Sequence, residues 1–99
     1  MSRLVVLTSN LMDASCVQSA VPDAAVARSL ADDALARADL ILLDLTSGFD
    51  PADVVALGPP VVAYGPHVDV DALDAAIAAG CREALPRSRV FRRLPDLLD

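Results

Sequence analysis

Short apolar runs recur along this chain, separated by segments rich in Ala and Asp in which apolar positions repeat at helical spacing. Such alternation predicts βαβ units built around a parallel sheet. Leu4-Val5-Val6-Leu7 is the first run and reads as a strand buried on both faces. Thr8, Ser9 and Asn10 follow, each a residue type that caps a helix through Leu11 to Gln18, with Met12 and Cys16 on one face. Val21-Pro22-Asp23 interrupts that helix, because proline donates no backbone hydrogen bond and restricts its predecessor. A weak strand at Ala24 to Arg28 comes next. Ser29 with Asp32 then resembles a capping pair for a short helix through Ala36, which sets Leu30, Ala34 and Ala38 on one face.

The most apolar run, Leu40-Ile41-Leu42-Leu43, ends at Asp44 and opens a turn at Thr46-Ser47-Gly48. Asp50-Pro51 is an N-cap followed by proline at the first helical position, and Gly58 terminates the helix. Pro60 to Tyr64 is the fourth strand, turned away by Gly65-Pro66-His67. Asp69 or Asp71 begins a helix with Leu73 and Ile77 inward, closed by Gly80. Glu83-Ala84-Leu85-Pro86 is a fifth strand, placed at a sheet edge by its proline. Val90, Phe91, Leu94, Leu97 and Leu98 form the stripe of a terminal helix that Pro95 should kink or restart. The pattern therefore predicts five strands and up to five helices, without linker, repeat or low-complexity tail.

Composition narrows this picture. At 99 residues the chain is one domain, spanning 1–99. Aromatic residues are only 3%, so the core must be aliphatic and the helices closely packed on the sheet. All basic residues are Arg and all acids but Glu83 are Asp, a bias of composition more than of function. The net charge of −6 argues against nonspecific nucleic-acid binding, which needs basic side chains to neutralise phosphates. Charge is nonetheless uneven: 82–93 carries five Arg against one Glu. Cys16 and Cys81 form no CxxC or Cys/His array, which excludes a zinc or redox motif and leaves two reduced core thiols. No apolar run reaches the length of a signal peptide or a membrane span, so a soluble cytoplasmic protein is expected.

In open α/β sheets, ligands and chemistry collect at the carboxyl ends of the strands, where Asp44 stands. Three stretches there carry a family resemblance: Arg3-Leu4-Val5-Val6-Leu7, Asp39-Leu40-Ile41-Leu42-Leu43-Asp44-Leu45, and Ala79-Gly80-Cys81-Arg82-Glu83-Ala84-Leu85-Pro86-Arg87-Ser88. They resemble, respectively, the first strand, the third strand with its terminal phosphoacceptor, and the approach to the fifth strand of the CheY-like response-regulator receiver domain. The resemblance covers nearly the whole chain. It implies a flavodoxin-like, doubly wound α/β fold with a five-stranded parallel sheet of order 2-1-3-4-5, here with shortened helices.

The resemblance also implies a site, and this chain departs from it. Asp44 keeps the phosphoacceptor position. The metal-holding acids after the first strand are replaced by Thr8 and Ser9, neutral oxygens with little affinity for a hard, hydrated cation, and Asn10 does not restore their charge. The Ser/Thr after the fourth strand becomes Gly65. The Lys after the fifth becomes Arg87, which keeps charge but differs in reach and geometry, and the following proline becomes Ser88. A degenerate pseudo-receiver is expected, with no Mg²⁺ and no other cofactor.

Each candidate has a plainer reading beside the functional one. Asp44 is a phosphoacceptor candidate, or a carboxylate that caps its turn and pairs with Arg87. Thr8, Ser9 and Arg87 are anion-binding candidates, with Asn10 beside them, or Thr8 to Asn10 simply cap a helix. His67 lies in a loop at the same edge without metal-ligand companions. Arg89, Arg92 and Arg93 are an interaction-surface candidate or a solvated basic face. The expected function is that of a receiver-like signalling module acting through protein association, a homodimer being one form, and without catalytic activity. The alternative is a phosphate- or anion-responsive sensor, or a residual phosphoacceptor, at Asp44.

Overall fold

All five strands read from the sequence form in the computed structural model, which describes residues 3–97. The strands are β1 (Leu4–Leu7), β2 (Ala25–Ala27), β3 (Leu40–Asp44), β4 (Val61–Gly65) and β5 (Glu83–Pro86). All neighbouring pairs are parallel, and the order is β2-β1-β3-β4-β5. This is the flavodoxin-like order that the receiver-domain resemblance implies, and the parallel sheet of βαβ units is what the alternation of apolar runs and helical segments predicts. Side chains alternate between the two faces of a strand, and two apolar layers result. Leu4, Val6, Leu40, Leu42, Val62 and Tyr64 lie on one side with Val17, Val90, Leu94 and Leu97. Val5, Leu7, Ile41, Leu43, Val61 and Ala63 lie on the other with Leu35, Val54, Ala76 and Cys81.

The helices are α1 (Leu11–Ala20), α2 (Asp33–Ala36), α3 (Pro51–Val55), α4 (Val70–Ala78) and α5 (Arg87–Arg92). Helices α1 and α5 supply the first layer, while α2, α3 and α4 supply the second. Carboxylates and amides start four of them: Asn10 caps α1, Asp32 caps α2, Asp50 caps α3 ahead of Pro51, and Asp69 caps α4. Pro95 restarts the chain as a 3-10 turn at Leu94–Asp96, as its missing donor requires.

Several local expectations are corrected. Helix α2 is a single turn, and Ser29 contributes only its backbone carbonyl to the Asp32 N–H. Strand β2 is three residues long. Ile77 is 49% exposed, because α4 lays Ala76 against the sheet and the next residue is rotated away by about 100°. Cys81 is buried, whereas Cys16 is exposed and is not a core thiol. Its helix faces the sheet with Asp13, Ala14 and Val17. Leu98, expected in the terminal stripe, lies outside the described residues. No helix among those residues is long and apolar enough to cross a membrane.

Candidate functional site

The same two-residue alternation that builds the core aims three polar side chains at one spot. Asp44 follows Leu40 and Leu42 on the α1 side of β3, and it pairs in register with Tyr64 of β4. Thr8 comes immediately after β1, one step beyond the Leu7–Leu43 pair, and so arrives beside Asp44. Thr8, Asp44 and Tyr64 are each 1% exposed. Burying a carboxylate there is tolerable only if its oxygens are bonded.

Both oxygens are. Oδ1 accepts from the backbone N–H of Thr46 at 2.9 Å and from its hydroxyl at 2.7 Å. Oδ2 accepts from the hydroxyl of Thr8 at 2.7 Å and from that of Ser47 at 2.8 Å. Asp44 is thus both the cap of the 3-10 turn at Leu45–Ser47 and the centre of a hydroxyl cage. Burial is the largest single influence on its carboxyl and pushes its pKa up, but the bonds from Thr46, Thr8 and Ser47 together outweigh it and hold the pKa below the usual carboxylate value. Ser9 completes the cage from outside, donating its N–H and its hydroxyl to the Ser47 oxygen at 3.0 and 3.1 Å.

A second buried carboxylate stands nearby. Asp13, in the first turn of α1 and 1% exposed, accepts from the Tyr64 hydroxyl at 3.0 Å. Its other oxygen is hydrogen-bonded to the Arg87 guanidinium, and the two form an ion pair. Arg87 is fixed further by Phe91, whose ring centroid is 4.8 Å from the guanidinium carbon. Phe91 in turn packs on Tyr64 at a centroid distance of 5.3 Å. Burial and the two neighbouring carboxylates raise the pKa of the Tyr64 phenol far above the ordinary value, so it acts as a permanent donor. Among the described residues, no buried side-chain nitrogen or oxygen lacks a partner.

The predicted site residues are therefore divided between two networks. Thr8 and Ser9 join Asp44, while Arg87 joins Asp13 and makes no bond to Asp44. The expected Asp44–Arg87 pairing is corrected on this point. The geometric reason is that α1 packs Asp13 over Tyr64, closer to the start of α5. Asn10, the third residue of that stretch, is a plain N-cap: its Oδ1 accepts from the N–H groups of Met12 and Asp13. Gly65 lies at the edge of a cleft of about 110 Å³ bordered also by Asp13, Asp44, Thr46 and Arg87. His67 is exposed and borders a neighbouring hollow of about 250 Å³ with Arg87 and Ser88. Arg89 and Arg92 are exposed, and Arg93 reaches Glu83 at 3.3 Å.

Asp13 and Tyr64 were not among the predicted site residues. A signal existed: Ala14, Val17 and Val21 define an inward stripe for α1, and Asp13 falls four residues before Val17 on that stripe. Tyr64 is the only tyrosine, at the ligand edge of a strand whose alternate residues face α1.

Neither a protein-family model nor any curated protein sequence matches this chain. Solved structures do. A response regulator from Hahella chejuensis superposes with a TM-score of 0.76 at 17% identity, over 100% of this chain and 98% of that one. A response regulator from Thermotoga maritima gives 0.69 at 14% identity, over 99% and 98%. A CheY-like protein from Pseudomonas aeruginosa PAO1 gives 0.70 at 21% identity, over 95% and 99%. The likeness is one of fold: the chain has the architecture of response-regulator receiver domains along its whole length.

Proposed function

We propose that this chain is a degenerate receiver-fold signalling module that acts through protein association, without Mg²⁺-dependent phosphotransfer and without catalysis. The bonding of Asp44 carries this reading. A phosphoacceptor must offer a carboxylate lone pair to phosphorus, whereas each oxygen of Asp44 already accepts two hydrogen bonds. Mg²⁺ demands near-octahedral oxygen ligands and favours carboxylates. Here the Thr8 hydroxyl is directed at Asp44, Ser9 is directed at Ser47, and Asp13 is occupied by Arg87 and Tyr64. These residues do not fit the ion. Arg87, the group that would meet a phosphoryl oxygen, is held on Asp13.

Association is supported by apolar side chains left in solvent, among them Leu11, Met12, Val68, Val70 and Ile77, and by the exposed Arg89 and Arg92. The two free cysteines suit a reducing, cytoplasmic setting. A Mg²⁺ titration followed by amide NMR tests the closed site. The signals of Thr8, Ser9 and Asp44 should stay in place, and saturable shifts at these residues would overturn the reading. An anion-responsive alternative is favoured by one observation, the hollow beside His67, Arg87 and Ser88. Saturable phosphate-induced shifts at those three residues would support it.

A further inference from the structure

Helix α1 buries its charge and leaves an uncharged outer face. Its one charged residue, Asp13, is buried, while Leu11 and Met12 are 63% and 76% exposed. The rest of its outer face is Ser15, Cys16, Gln18, Ser19 and Ala20, so the whole face is uncharged in a chain that is 22% charged. Beside α5 this face falls into a groove of about 540 Å³ lined by Ser15, Cys16, Ser19, Ala20, Phe91 and Leu94. Large side chains therefore project from the first turn of α1, and a groove flanked by small ones runs along its last turns.

That graded shape complements itself. Met12, Cys16 and Ala20 are successive members of an i, i+4, i+8 row, with Cys16 midway and each end about 6 Å from it. In a two-fold contact, residue i of one copy meets j of the other and j meets i. An axis through Cys16 places Met12 of each copy in the other copy's groove, beside Ser19 and Ala20. Opposed helix dipoles add a small favourable contribution. A strongly acidic or basic partner finds nothing to pair with on this helix face, whereas a second copy presents an equally uncharged one.

We propose that the outer face of α1 is a homodimer interface, antiparallel about Cys16, with Met12 as the knob and the α1–α5 groove as the hole. The proposal rests on the association reading and names the partner as a second copy of this chain. It has a distinctive salt dependence. Each chain carries −6, so screening removes a repulsion, and added salt strengthens the apolar contact. A contact between Arg89, Arg92 or Arg93 and an acidic surface would weaken instead.

The test combines sedimentation velocity at low and high NaCl with mild oxidation by copper phenanthroline. Cys81 is buried, so Cys16 is the thiol available for cross-linking. The expected result is a dimer strengthened by salt and converted to a Cys16–Cys16 disulfide dimer in a yield that follows the dimer fraction. Both Met12→Glu and Ser19→Arg should abolish it while leaving the circular dichroism spectrum unchanged, since both positions are exposed. A chain that is monomeric up to about 1 mM overturns the proposal. So does a dimer that survives both substitutions and resists cross-linking, but that outcome leaves association through another face standing.

Discussion

Arg87 is paired with Asp13 and bypasses Asp44, although all three side chains border the same cleft. The pair joins the first turn of α1 to the first residue of α5 across the carboxyl edge of the sheet. With Tyr64 bonded to the same carboxylate, three elements are tied at one buried atom group. Arg87 thereby holds the start of α5 against α1.

Removing one partner should cost more than removing both. Arg87→Met leaves Asp13 buried with only the Tyr64 hydroxyl, at a cost of about 2–3 kcal/mol, below that of fully buried pairs because the Arg87 side chain is 43% exposed. Asp13→Leu with Arg87→Met removes the stranded charge and should recover much of the loss. Urea unfolding of the two single variants and the double variant gives the coupling directly, expected at about 1–3 kcal/mol.

Tyr64→Phe keeps the ring against Phe91 and deletes the bond to Asp13. A loss of about 1–2 kcal/mol is expected from the same unfolding measurement. An unchanged midpoint would mean that the phenol does not hold Asp13.

The hydroxyl cage makes a pH-dependent prediction. Asp44 titrates below the 3.8 of an unfolded aspartate, so the native state binds its proton less readily than the unfolded state. The cage therefore stabilises the fold fully above about pH 5, and that contribution disappears as pH falls through the native value. Thr8→Val should cost about 1–2 kcal/mol at pH 7 and progressively less in acid. A smaller pH-independent part remains, because the Thr8 hydroxyl also accepts from the Asn10 N–H. Unfolding curves at pH 7 and at acid pH measure the difference.

Gly80 closes α4 at φ 111°, and a Cβ there would come within 3.1 Å of a Val55 methyl. Gly48, at φ 86°, has open space around it. Gly80→Ala should therefore destabilise by about 1–2 kcal/mol and Gly48→Ala by less, both read from urea midpoints.

The central strands were legible because β1, β3 and β4, buried on both faces, are written as unbroken apolar runs, with Asp44, Asp50-Pro51 and Gly80 marking ends or caps. The strand order came with the family resemblance, and the half-buried β2 and β5 left weaker signals. Helix faces were less legible where alanine dominates. In α4, Ala76 rather than Ile77 meets the sheet, since a small side chain permits the closest approach. The arrival of Thr8 and Ser9 at the carboxyl edge, directly after β1, was visible by position, but the destination of Arg87 was not. That depends on the buried placement of Asp13, a charge on the inward stripe of α1, which periodicity weighted toward apolar residues passes over.

The closed state of Asp44 is tested most directly by intact-protein mass spectrometry after incubation with Mg²⁺ and a small acyl-phosphate donor. No phosphoryl adduct should form on the wild-type chain. A stoichiometric, hydroxylamine-labile adduct that is absent from Asp44→Asn would contradict this, and would show that the four hydrogen bonds around Asp44 open to admit a phosphoryl group.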